Sequence, residues 1–196
     1  MGVLHKHLFN EISFGKCAST LQILNASSYG GVHRALKTLP GYRFSEFFPD
    51  VPSGKFSTSG VLCVDLCQIP FPDESLDVVI TEDVFEHLEN PDAAFQEIKR
   101  VLKSGGIHIF TVPIREGGHT MNRTGMSPVY HDAPEGTGGA LVWNDFSYDL
   151  VERFTDAEAQ TRYLPVHTFY LPEQVTRLET EYADYLKKKD RPLFFY

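Results

Sequence analysis

Cysteine is scarce in this chain. Only Cys17, Cys63 and Cys67 occur among 196 residues. The odd count and the lack of a disulfide framework fit a reducing compartment. Cys63 and Cys67 also lack the second pair that would complete a structural zinc site. Basic residues are in deficit, with 18 Lys and Arg against 26 Asp and Glu and a net charge of −8. That balance argues against a general electrostatic grip on nucleic acid, which needs a basic face. Long hydrophobic runs are missing, so no membrane span is expected. The first ten residues, MGVLHKHLFN, lack the apolar core of a signal peptide. Lys6 stands where a myristoylation signal wants Ser or Thr. Internal repeats and low-complexity tracts are absent too. These absences point to a reducing, cytoplasmic setting.

What remains has the composition of a globular domain, 42% hydrophobic and 22% charged. The length suits one domain with a sizeable core, residues 1–196. Short apolar runs alternate with amphipathic stretches, which predicts an α/β fold with a parallel sheet between helices. Strands are expected at Leu21–Asn25, Tyr42–Glu46, Val61–Asp65, Leu76–Thr81 and Ile107–Val112. The run LDVVIT has the unbroken apolar character of a strand buried on both faces. Val32–Leu39 reads as a short helix before Pro40-Gly41. A longer helix begins with Asn90 as cap and Pro91 in its first turn. It carries Phe95, Ile98, Val101 and Leu102 on one face and ends at Gly105-Gly106. Residues 114–145 read as a long, glycine-rich lid or substrate loop. Helices are expected at Phe146–Asp156 and Pro172–Lys189, and strands at Ala159–Val166 and Leu193–Tyr196.

The chemistry gathers at strand ends. In an open parallel sheet, ligands bind at the carboxyl ends of the strands. Glu46 and Asp65 end two successive strands, and Glu82-Asp83 follow a third. A carboxylate after the second strand suits a ribose diol, because it accepts both hydroxyl hydrogens. One after the third can accept from an exocyclic amine.

The stretch DLCQIPFPDESLDVVITEDVFEHLENPDAAFQEIKRVLKSGGIHIFTVP, Asp65 to Pro113, resembles the centre of a class I S-adenosylmethionine-dependent methyltransferase. It is similar in particular to the branch with D-L-x-x-[LI]-P-F-x-D-x-S-[FL]-D-x-V-[IV], then D-V-x-E-H, then R-V-L-K-x-G-G. The resemblance extends more loosely from Ile23 to the C-terminus. It implies a Rossmann-like, doubly wound, mostly parallel sheet of seven strands. The last of these, Leu193–Tyr196, would be antiparallel. It implies S-adenosyl-L-methionine as cofactor and an oxygen or nitrogen acceptor on a small molecule or glycan. Ser27 to Gly31 would lie under the methionine part of the cofactor, and Glu46 would hold the ribose. Asp65 and Leu66 would face the adenine. Thr81, Glu82 and Asp83 would line the floor near the sulfonium.

The first loop departs from the family's acid-x-G-x-G-x-G. Its places here hold Asn25, Ser27, Tyr29 and Gly31. Serine is a mild change, whereas the Tyr29 ring must swing aside or cover the ligand. Asn25 keeps hydrogen-bonding ability without the charge. Two readings stand: a loop that still binds cofactor, or a methyltransferase-like scaffold without catalysis. Tyr29 filling the cleft would favour the second.

His87 and His131 are the candidate catalytic bases, since imidazole titrates near neutral pH. His119 is a further candidate in the same loop as His131. His87 has an alternative role, tying the turn to nearby backbone. The group His119, His131 and Asp132 lacks a compact metal-ligand spacing, so no metal is expected. Trp143 and Tyr148 are candidates for an acceptor wall. The short leader, Met1–Thr20, leaves little to cover a cofactor, which predicts a homodimer or a mobile lid.

Overall fold

The structure is a computed structural model that describes residues 19–115, 117–131 and 139–162. The described residues divide into two compact units. The first comprises Ser19–Glu82 together with Asp92–Ile109, and the second comprises Asp83–Pro91 and the described residues between Phe110 and Arg162.

A sheet of five strands forms the backbone of the first unit: β1 (Ile23–Asn25), β2 (Tyr42–Glu46), β3 (Leu62–Cys63), β4 (Leu76–Glu82) and β5 (Leu102–Thr111), in the order β3-β2-β1-β4-β5. The registered pairs of β1 with β2, β1 with β4 and β2 with β3 are all parallel. β1 is central and wholly buried, pairing Ile23 with Tyr42 on one side and with Val78 on the other. A run such as Val78-Val79-Ile80 has no polar face because it packs on both sides. Ile23, Val32, Val78 and Ile80 form one core cluster, flanked by Leu36, Leu39, Tyr42 and Ile109. Burying each such side chain is worth about 1.5–3 kcal/mol.

Helix α1 (Gly30–Leu36) follows β1, and α2 (Pro91–Val101) leads into β5. The buried stripe of α2 is Ala94, Phe95, Ile98 and Val101. α2 stops at Val101, short of the expected Gly105-Gly106. Its last carbonyls are already claimed: Glu74 N–H donates to Arg100 O at 3.0 Å and Ser75 N–H to Val101 O at 2.9 Å. Gly105 (φ +76°) and Gly106 therefore fall in β5. A Cβ at Gly106 would stand 2.9 Å from Lys103 O.

The second unit opens with a 3-10 turn, Phe85–His87. It contains two small antiparallel pairings: β6 (Met121–Asn122) with β9 (Asn144–Asp145), and β7 (Tyr130–His131) with β8 (Ala140–Leu141). The expected lid is thus partly strand. Helix α3 is shorter than expected, Leu150–Arg153. Residues 159–162 form no strand, against expectation. Phe85, Phe110, Phe146 and Phe154 make an aromatic core, with ring centroids 5.6 to 6.2 Å apart in the close pairs. The sheet of the described residues has five strands, so the expected seven and the antiparallel closing strand are not present there. The Pro172–Lys189 helix and Leu193–Tyr196 lie outside the described residues. Among the described residues, no helix is long and apolar enough to cross a membrane.

Candidate functional site

In the first unit, Asn25, Glu46 and Asp65 stand at or just past the carboxyl ends of β1, β2 and β3, three neighbouring parallel strands. Asn25 is fully buried. Its amide Nδ2 donates to Ser27 O at 3.0 Å and to the Tyr42 hydroxyl at 2.9 Å. Its Oδ1 is sealed from solvent and accepts no hydrogen bond among the described residues. Burial pushes the Tyr42 phenol up to about 12, against the opposing pull of the Asn25 hydrogen bond.

Glu46 reaches the first loop directly. Its Oε1 accepts from Ser28 N–H at 2.7 Å and from Ser28 Oγ at 2.8 Å. Ser27 is buried, and its Oγ accepts from Tyr29 N–H at 3.3 Å. Tyr29 itself is 60% exposed, so its ring does not fill the interior of this unit. Among the described residues, a Cβ built on Gly30 or Gly31 would meet no heavy atom within 4 Å, which leaves open space above the loop.

Asp65 shapes its own turn. Its Oδ1 accepts from Cys67 N–H at 2.8 Å, and its N–H donates to Ser53 Oγ at 3.1 Å. Burial raises the Cys67 thiol above its usual pKa, and the Asp65 charge raises it further. Leu66 is buried. Thr81 is also fully buried, with its hydroxyl 3.0 Å from His108 Nε2. Burial pushes the His108 imidazole down to about 3. Glu82 closes β4 and is partly exposed.

In the second unit, Asp83 adopts φ +50°, and its N–H donates to Thr111 O at 3.0 Å. The two candidate bases come together. The rings of His87 and His131 lie 5.2 Å apart, edge to face. His87 Nδ1 is 2.9 Å from Leu141 O, which makes this nitrogen the donor and leaves Nε2 bare. The tie to backbone foreseen for His87 therefore exists. His119 stands apart, exposed and 3.3 Å from Asp149 Oδ2. Trp143 is partly buried and is held through its backbone, its N–H donating to Glu86 O at 2.8 Å. Tyr148 is exposed.

Sequence reasoning passed over Tyr42 and Glu86 as site residues. Tyr42 carries no spacing signal, since only the fold brings it to Asn25. Glu86 did carry one, as an acid directly before a candidate histidine.

Comparison with known proteins gives a consistent picture. Residues 32–110 match the family model described as a methyltransferase domain. An uncharacterized methyltransferase of Schizosaccharomyces pombe is 51% identical over 39 residues, 20% of this chain and 14% of that protein. A probable S-adenosylmethionine-dependent methyltransferase of Mycolicibacterium smegmatis is 39% identical over 51 residues, 26% of this chain and 20% of that protein. The chain thus spans a fifth or less of the curated relatives it matches. An S-adenosylmethionine-dependent methyltransferase from Mesorhizobium loti shares the fold with a TM-score of 0.53 at 15% identity, over 89% of this chain and 88% of the other.

Proposed function

We propose, for a chain whose residues 32–110 match the methyltransferase-domain family model, that it transfers a methyl group from S-adenosyl-L-methionine to an oxygen or nitrogen of a small-molecule or glycan acceptor. The observation that carries this reading is the row of Asn25, Glu46 and Asp65 across the carboxyl ends of three adjacent parallel strands, beneath a loop with open space at Gly30 and Gly31.

The residues fit the cofactor. The unfilled acceptor of Asn25, Oδ1, suits an ammonium donor of the methionine part. The Glu46 oxygen not engaged by Ser28 suits the ribose hydroxyls. Asp65, at the end of the third strand of the row, suits the adenine amine, with its Oδ1 also accepting from Cys67 N–H. The cofactor, when bound, supplies an electrophilic methyl on a sulfonium. The protein's share of the work is positioning and exclusion of water. Ser28 and Glu46 brace the loop in place, and the exposed ring of Tyr29 leaves the loop open.

Calorimetry with S-adenosylhomocysteine tests the reading. Binding is expected, and Glu46→Ala should abolish it. Ser28→Ala separates the two duties of Glu46. It removes one brace hydrogen bond, worth about 1.5–3 kcal/mol for a charged partner, but leaves the carboxylate for the ribose. Absence of any binding at millimolar ligand would overturn the proposal.

A further inference from the structure

Glu86 poses a problem that nothing above resolves. It is 1% exposed, and both of its carboxylate oxygens are sealed from water. Among the described residues neither oxygen accepts a hydrogen bond. A carboxylate buried in that way is costly unless a positive charge meets it. Two imidazole nitrogens do face it. His87 Nε2 stands 3.8 Å from Glu86 Oε1, and His131 Nδ1 stands 3.7 Å from the same oxygen. These separations are too long for hydrogen bonds. They are near the spacing of two atoms that share one ion, roughly 3.3 Å in a tetrahedral site with ligand bonds of about 2.0–2.1 Å. The three atoms all lie within 4.8 Å of one another.

We propose that Glu86 Oε1, His87 Nε2 and His131 Nδ1 form a binding site for a divalent transition-metal ion of the zinc class. The donor set, two imidazoles and one carboxylate, suits such an ion better than magnesium or calcium, which prefer oxygen alone.

The outer partners are those of a prepared site. His87 gives its Nδ1–H to Leu141 O at 2.9 Å, which fixes the tautomer and turns Nε2 toward Glu86. Glu86 is fixed through its own carbonyl, which accepts from Trp143 N–H at 2.8 Å. His131 is fixed by the pairing of β7 with β8, where it stands opposite Ala140. The two carboxylate–imidazole separations, 3.8 and 3.7 Å, would need to close by about half an ångström onto a shared ion. Three protein ligands leave at least one position open for a water or another oxygen donor. The site lies within the second unit and owes nothing to the strand-end row, so it stands or falls apart from the methyl-transfer reading.

The test uses the full chain stripped with a chelator and titrated separately with zinc, by calorimetry, and with cobalt, by visible absorption. One ion per chain is expected. Cobalt should give ligand-field bands of a low-coordinate nitrogen and oxygen site. Glu86→Gln and His131→Ala should each weaken binding by at least about tenfold. His119→Ala, at an exposed histidine paired with Asp149, should leave binding unchanged. Near-ultraviolet circular dichroism checks folding. His131 is partly exposed, so its variant should stay folded even if the buried Glu86 variant does not. Lack of one-to-one binding at micromolar metal overturns the proposal. So does a folded His131→Ala chain that binds as tightly as the unaltered one.

Discussion

Asn25 shows how one atom can settle a residue's identity. Its Nδ2 has two acceptors in place, Ser27 O and the Tyr42 hydroxyl. A carboxylate there would confront the Ser27 carbonyl with no hydrogen between them. We therefore expect Asn25→Asp, the change toward the family's usual acid, to destabilise the chain by about 1–3 kcal/mol, read as a lower urea midpoint. The substitution seen in the sequence as a loss is matched by its surroundings, and those surroundings were not legible. Tyr42 lies 17 positions away, and the pairing of β1 with β2 is what brings it near. Glu46 and Asp65, by contrast, were legible because strand ends carry their own signal. His108 gives a second expectation. Its pKa is depressed in the fold, so the unfolded chain takes up a proton first as pH falls. The stability is complete above about pH 6.5 and is lost as pH falls toward about 3. Urea unfolding should show a loss of up to about 2 kcal/mol between pH 7.5 and 5, and His108→Asn should flatten that slope.

At the scale of elements, Arg100 is the fastening of α2. Its Nε and Nη2 donate to Glu97 at 2.8 Å each, and its Nη1 donates to Asp73 at 2.6 Å. It also takes Ile69 O at 2.9 Å and Phe71 O at 3.0 Å. Glu97 Oε2 in turn accepts from Ile69 N–H at 2.9 Å. The loop before β4 is thus fixed to the helix by one planar fork, and a lysine could not copy it. Arg100→Lys should cost about 1–3 kcal/mol, seen in the denaturant midpoint, because loop carbonyls lose their donors. Element type was largely legible in the sequence. β2 falls where its pattern places it, and β4 runs one residue longer. Boundaries are less so: two glycines point to the end of α2, yet the amides of Glu74 and Ser75 set it. A long-range cap of that sort leaves no local mark. The strands at Met121–Asn122 and Tyr130–His131 were hidden because two-residue pairings show no period.

On the scale of the whole molecule, two compact units imply two separable cores. Phe154 is almost wholly buried among Phe85, Phe110 and Phe146. Phe154→Ala should cost about 3–5 kcal/mol. Hydrogen exchange should quicken first at amides of the second unit, such as Trp143 and Arg115, before those of β1 and β4. Exchange that quickens equally throughout would show one cooperative core instead.

Cys63 has a practical consequence. Its side chain is completely buried, and Sγ donates to Val51 O at 3.1 Å while accepting from Phe48 N–H at 3.4 Å. A bulky alkylating reagent cannot touch that sulfur until β3 leaves the edge of the sheet. The thiol is therefore a built-in clock. Under conditions where trapping outpaces reclosure, its labelling rate counts how often the strand beside Glu46 peels away, and a cofactor held by Glu46 should slow it.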